Sequence, residues 1–269
     1  MASQAHPTVL NVYKQKGETP LSCILRLQEA IPELRGETLT YAGRLDPLAE
    51  GVLLVLVGEE GKRKEMYLGL RKTYQLDVLF GWGTDTYDIA GKLTEVSDKR
   101  IAMVPLMDAV VQLPRTYDQP YPPYSSKPVG GKPLFQWARE GRLSEIAIPT
   151  HSVTIYGSVL RHSETVSGAD LFEYIDRSLM KLTGDFRQED IRRCWREYLG
   201  SRYDNLYDVA TLEIEASSGT YMRSIAHELG AVLGVPALAY RIVRTSVGMY
   251  TLKESLKDFT QGFMLETRG

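Results

Sequence analysis

The chain has 269 residues, 43% of them hydrophobic and 25% charged, enough to bury a substantial core in one large domain or one carrying an insertion. No run approaches the roughly 18 apolar residues of a membrane span, and the first nine residues lack a charged-then-apolar signal pattern, so a cytoplasmic protein without membrane association is expected. A formal charge of −2 lacks the global basic footprint of many nucleic-acid binders, and Cys23 and Cys194, far apart and without a Cys-x-x-Cys or histidine-rich companion, imply neither a disulfide framework nor a zinc site.

The first informative segment is Tyr41-Ala-Gly-Arg-Leu-Asp-Pro-Leu-Ala-Glu-Gly51, a polar turn that runs into the apolar stretch 52–57. Asp46 sits where this loop meets a strand, with Gly43, Pro47 and Gly51 restricting or releasing the backbone around it. Asp before Pro is equally a structural turn, so the local pattern alone does not decide its role. Lys62-Arg63-Lys64 and Arg71-Lys72 follow as a basic run, which a solvated surface explains as well as a phosphate contact does. Residues 74–80 carry the β-branched and aromatic content of a strand.

Between residues 121 and 142, Lys127, Lys132, Arg139 and Arg142 interleave with Tyr121, Tyr124, Phe135 and Trp137. Phosphates need clustered cations and splayed bases need aromatic faces, so this segment concentrates what the global charge lacks. The highly charged stretch 163–207 reads as one or two inserted helices, its arginines offset by nearby acids. Residues 210–216 alternate as a half-buried strand. Beyond them, Met222, Ile225, Ala226, Leu229 and Leu233 fall on one helical stripe, with a Ser or Thr cap expected before it and Gly234 and Pro236 after. His227 lies off the stripe and is expected to be exposed. Strands and helices mix without a regular βαβ repeat, which predicts an α+β fold around a mixed sheet.

Gly43-Arg-Leu-Asp-Pro-Leu-Ala-x-Gly51 resembles the G-x-L-D-P-x-A-x-G motif of the TruB family of pseudouridine synthases. Further blocks match in order. Lys14-Gln-Lys-Gly-Glu-Thr19 is similar to a worn K-P-x-G-x-T-S segment, and Lys72-Thr-Tyr74 with Gly83-Thr-Asp-Thr-Tyr-Asp88 resembles the family's K-x-Y strand and G-x-x-T-D-T-x-D turn. Residues 122–141 resemble its thumb segment, and Ser218-Gly-Thr-Tyr-Met-Arg223 with Arg244-Thr-x-x-Gly248 resembles its last block.

The resemblance implies a single catalytic domain over residues 1–269, built on a curved, largely antiparallel sheet flanked by helices, with a thumb at 122–141 and an unusual helical insertion at 163–207. It implies isomerisation of uridine to pseudouridine, with Asp46 as nucleophile, Arg223 as the cation that keeps it ionised, and Tyr74 stacking on the extruded uracil and handling its C5 proton. Tyr221, Ile242 and Arg244 are expected in the substrate pocket, Lys127, Lys132 and Arg139 on the RNA. Tyr41 stands where the family has a histidine that wedges out the target nucleotide. No cofactor and no metal are implied. The expected partner is the T-arm stem-loop of tRNA, with its uridine at position 55 as target and no protein partner required. The Gly83–Asp88 turn favours this stand-alone branch over the guide-RNA branch. The chain ends about twenty residues after Gly248, too soon for the C-terminal PUA domain of many bacterial relatives. Gln15, Pro20 and Glu50 depart from the pattern, and a synthase redirected to another structured RNA, or a non-catalytic tRNA-binding or folding module, are the competing readings.

Overall fold

The computed structural model describes residues 8–259. The chain begins with β1 (Val9–Lys14), α1 (Pro20–Ala30), β2 (Leu39–Ala42), β3 (Glu50–Val57) and α2 (Lys64–Leu68). Next come β4 (Lys72–Phe80), β5 (Trp82–Thr84), β6 (Leu93–Val96), α3 (Met103–Val111) and β7 (Arg115–Pro120). The thumb segment holds the two-residue strands β8 (Pro128–Val129) and β9 (Lys132–Pro133) and the short α4 (Leu134–Arg139). Then follow β10 (Thr150–Ser167), α5 (Gly168–Met180), α6 (Gln188–Leu199), β11 (Leu206–Ala216), α7 (Met222–Leu233), β12 (Ala237–Val247) and β13 (Tyr250–Thr251).

Among the described residues, nine strands make one mixed sheet in the order β1-β3-β12-β4-β11-β10-β7, with β2 paired to β3 and β13 to β12. The α+β class is as expected. The β12–β3 pair is parallel, while β4, β11, β10 and β7 run antiparallel to their neighbours. The apolar run of β3 is covered on both faces, the reason it does not alternate. Leu53, Val55 and Val57 pack with Cys23, Ile24 and Leu27 of α1, whereas Val52, Leu54 and Leu56 pack with Ala42 and Val247. In β4 and β11 the alternation is used differently. Tyr74, Leu76, Val78, Leu212 and Ile214 face the cluster made by α3 and α7, while Leu79 and Val209 face the opposite one.

That opposite cluster belongs to α5 and α6. Ile191, Trp195 and Leu199 recur every four residues on α6, so its charged sequence still presents one fully buried stripe. Trp195 meets Trp82 with ring centroids 5.2 Å apart, and Trp82 meets Tyr207 edge-on at 5.1 Å. The helical stretch is shorter than the sequence suggested. Residues 163–167 extend β10 along β11, from Ser163 opposite Ala210 to Ser167 opposite Leu206, because the ladder can continue there with exposed polar side chains.

α7 also differs at its start. Its cap position is Tyr221, which makes no side-chain cap, and the Tyr221 N–H donates instead to Oε1 of Gln119 at 2.8 Å. A side chain reaching in from β7 thus replaces the expected Ser or Thr. The helix ends on Gly234 at φ +65°, with Val235 N–H donating to the Gly230 carbonyl, a left-handed stop that favours glycine.

Truncating the aromatic contact tests how firmly α5 and α6 are bound to the sheet. Trp195→Ala should cost about 3–5 kcal/mol of stability, the range for emptying a buried aromatic site. Urea denaturation measures this, and a cost under 1 kcal/mol would show that the helical pair packs without its tryptophan.

Candidate active site

Residues 43–49 connect β2 to β3, and buried cations hold this loop by its carbonyls. Lys14 donates Nζ to Ala49 O at 2.6 Å and to Pro47 O at 3.2 Å. Arg244, 1% exposed, donates Nε to Val52 O at 2.7 Å, Nη1 to Arg44 O at 3.2 Å and Nη2 to Gly43 O at 3.1 Å. Nearby, Lys72 donates Nζ to Leu68 O and Leu70 O. Gly51 carries φ +111°, and a Cβ there would lie 2.3 Å from Arg244 O, so only glycine lets β3 come this close to β12.

Asp46 projects from this loop to Arg223 in the first turn of α7. Arg223 Nε meets Asp46 Oδ2 at 2.8 Å and Nη2 meets Oδ1 at 3.1 Å, a two-point contact. The guanidinium is 3% exposed, while the Asp46 side chain is 36% exposed and so keeps access to the space beyond. Arg223 also donates Nη1 to Thr86 O at 2.9 Å and Nη2 to Tyr124 O at 3.3 Å. A second carboxylate, Asp88 Oδ2, stands 3.8 Å from Nε. Burial alone would lower the Arg223 pKa, but Asp46 and Asp88 reverse this and raise it. Burial pushes the Asp88 carboxyl up, against the opposing pull of Arg223 and of the Thr86 hydroxyl that donates to it at 2.6 Å.

Asp46 and Arg223 line a cavity of about 270 Å³ together with Tyr74, Tyr221, Ile242 and Ser125. Tyr74 is 7% exposed and Ile242 8%, so aromatic and apolar walls face the carboxylate. Burial first, and then the Asp46 charge, pushes the Tyr221 hydroxyl up to about 12. A larger cavity of about 530 Å³ shares Tyr124 with this one but is lined by none of Asp46, Tyr74 and Arg223. Among the described residues no group of His, Cys, Asp and Glu is arranged to hold a metal ion, and no helix is long and apolar enough to cross a membrane.

The family model of TruB pseudouridylate synthases (N terminal domain) matches residues 33–173. The tRNA pseudouridine synthase B of Thermosipho melanesiensis is 30% identical over 253 residues, covering 94% of this chain and 68% of that protein. That of Thermotoga maritima is 29% identical over 251 residues, covering 93% and 66%. The chain belongs to the TruB family. It spans about two thirds of the length of these relatives. The archaeal box H/ACA sRNP Nop10-Cbf5 complex contains a chain of the same fold, with a TM-score of 0.54 and 15% identity over 94% of this chain and 52% of that one.

The blocks that resemble the TruB family converge on the smaller cavity. Asp46, Tyr74, Tyr221, Arg223, Ile242 and Arg244 all line it, but Arg244 does so differently from expectation. Its guanidinium binds the carbonyls of Gly43, Arg44 and Val52, so it positions the loop that carries Asp46, and it also interacts with Tyr74 at the cavity wall. Tyr41 is not a lining residue. It packs beside the α1 cluster, with Lys64 Nζ 5.2 Å from its ring centroid.

The thumb cations lie outside the cavity as well. Lys127 Nζ sits 5.2 Å over the Tyr121 ring. Lys132 pairs with Glu140 and lies 3.8 Å over Trp137, and Arg139 binds Asp185 Oδ2 at 3.1 Å. Glu50, the charge out of pattern, is met by the Tyr13 hydroxyl at 2.8 Å and by Arg241 Nε at 2.9 Å. His227 is exposed and stacks on Tyr87 at 4.0 Å.

Lys14, Lys72, Tyr124 and Asp88 contribute to the site or its support although the sequence alone assigns them no place there. Lys14 and Lys72 open their blocks and Asp88 closes its own, which was the available signal. Burial lowers the Lys14 pKa to about 8, with Glu18 the leading opposing charge. An unfolded lysine titrates near roughly 10.4, so between these values the unfolded chain holds more protons and stability rises with pH on account of Lys14. Urea midpoints of the wild type should therefore gain on those of Lys14→Met as pH rises from about 8 to about 10. A constant difference across that window would show that Lys14 keeps an ordinary pKa.

Proposed function

We propose that the chain converts uridine to pseudouridine in tRNA, with the T-loop uridine at position 55 as its target. The supporting observation is the two-point contact between Asp46 and Arg223 at a cavity walled by Tyr74, Tyr221 and Ile242. The reaction detaches a base at N1, turns it and rejoins it through C5, with no net redox change. It needs an ionised carboxylate beside sugar and base, a wall on which the free uracil can turn, and a group to accept the C5 proton.

Asp46 serves as nucleophile. Each carboxylate oxygen has two lone-pair directions, so the two bonds to Arg223 fix the group and leave electron pairs facing the cavity. Arg223 favours the ionised form by charge and by its hydrogen bonds. The target uridine turns out of its stack at a cost of a few kcal/mol, offset by contact with Tyr74 and Ile242. The Tyr74 hydroxyl then takes or relays the C5 proton. The thumb, Lys127, Lys132 and Arg139 included, closes over the T-arm stem-loop.

Asp46→Asn keeps the shape and most of the hydrogen-bonding reach but removes the negative charge. With a T-arm RNA tritiated at uridine C5, tritium release by this variant should fall below detection, while RNA binding stays near wild type and the loss of the charged partner of Arg223 costs about 1–3 kcal/mol of stability. Release at a rate comparable to wild type would remove Asp46 from the chemistry.

Tyr74→Phe separates stacking from proton handling. Its RNA affinity should persist while product formation drops about a hundredfold, the lower range for a positioned acid or base. Equal loss of binding and turnover would assign Tyr74 to structure.

A further inference from the structure

We propose that Arg187, in the connection between α5 and α6, is a positioning residue of the active site that acts on Arg223 through Asp85 and Tyr124. This rests on the function proposed above. Apart from Asp46, the hydrogen-bond acceptors of the Arg223 guanidinium are the carbonyls of Thr86 and Tyr124. Neither carbonyl lies in a helix or strand, since Thr86 is in the turn after β5 and Tyr124 in the thumb before β8. Backbone hydrogen bonds tie the turn to Lys92 and to Ala239 of β12, and one side chain of the α5–α6 connection reaches both the turn and the thumb.

Arg187 donates Nη1 to Asp85 Oδ2 at 2.8 Å and Nη2 to Asp85 Oδ1 at 3.3 Å, one residue before Thr86. Its guanidinium carbon also lies 4.4 Å over the ring of Tyr124. Exposed ion pairs contribute little, but the Arg187 and Asp85 side chains are only 19% and 25% exposed and their contact is two-pronged. Arginine is suited to both contacts at once, its fork to the carboxylate and its flat face to the ring.

The backbone at Arg187 supports a role beyond filling a surface site. It is left-handed, at φ 62° and ψ 27°, a conformation that L side chains adopt at a cost. It is held there by its N–H donating to Asp185 Oδ1 at 3.1 Å and by Ile191 N–H donating to its carbonyl at 3.0 Å. Asp185 in turn takes Arg139 of the thumb, so the same short connection grips the thumb at a second place. Residues 168–199, which carry none of the family's blocks, thereby reach the guanidinium that orients Asp46.

Arg187→Lys keeps the charge and the backbone preference while losing the fork and the flat face. In the full chain, its single-turnover rate at saturating T-arm RNA should fall about tenfold, with RNA affinity within about twofold of wild type. The Arg223 Nε–H signal, assigned by its disappearance in Arg223→Lys and set downfield by Asp46, should shift in the NMR spectrum of Arg187→Lys without RNA. Asp85→Asn removes the other end of the contact and tests it independently should Arg187→Lys fold poorly; the double variant should be no slower than the worse single one. A saturating rate within twofold of wild type with an unmoved Arg223 signal, or single losses that simply add, would overturn the proposal. A wild type that binds the RNA without forming product, while the Arg223 signal still responds to Arg187→Lys, would refute the proposed function and uphold the positioning role.

Discussion

A guanidinium that is 3% exposed has given up its hydration and must find every acceptor within the protein. Around Arg223 those partners come from three places that are distant in sequence: Asp46 after β2, Thr86 with the nearby carboxylate of Asp88 after β5, and Tyr124 in the thumb. Taking away a partner of such a buried charge typically costs several kcal/mol, so α7, the turn, the thumb and the 43–49 loop are bound to converge. The cavity is a result of that convergence. Its walls come from β4 and β12, the central strands of the sheet, while its floor is set by the demand of one cation for oxygen.

The loop that carries Asp46 is ordered on the same principle. Lys14 and Arg244 hold it from two sides through backbone carbonyls, contacts that do not depend on the side chains of the loop. The acid at its tip is therefore free to meet Arg223 and the cavity. A carboxylate on an unsupported loop would have to be immobilised by its substrate, at a cost in side-chain and backbone entropy.

The sequence was legible where one physical rule acted alone. Alternation in residues 210–216 reported a half-buried strand, and the apolar stripe of α7 ended at Gly234 where the structure ends it. It failed where a partner distant in sequence decides. The N-terminus of α7 is completed by Gln119 from β7, which no local capping pattern contains. Residues 163–167 are strand because β11 lies beside them, although they read as part of a helical insertion. In the site, the motifs that resemble the family hold Asp46, Tyr74 and Arg223, which line one cavity, yet a motif does not say which way a guanidinium points. Arg244 spends most of its hydrogen bonds on backbone, and Tyr41 packs by α1, for reasons visible only once β12 and β2 are seen against their neighbours.

The pairing of the thumb cations sets how this surface treats polyanions. Lys132 is engaged by Glu140 and Arg139 by Asp185, so a phosphate arriving there must exchange with a carboxylate as well as shed its counterions. That exchange returns part of the attraction, and together with a net charge of −2 it leaves little long-range pull on nucleic acid in general. Charge alone therefore gives such a surface little hold on RNA. Under the proposed function, recognition has to come from contacts that the thumb and the cavity make together, and selectivity is gained by withholding charge.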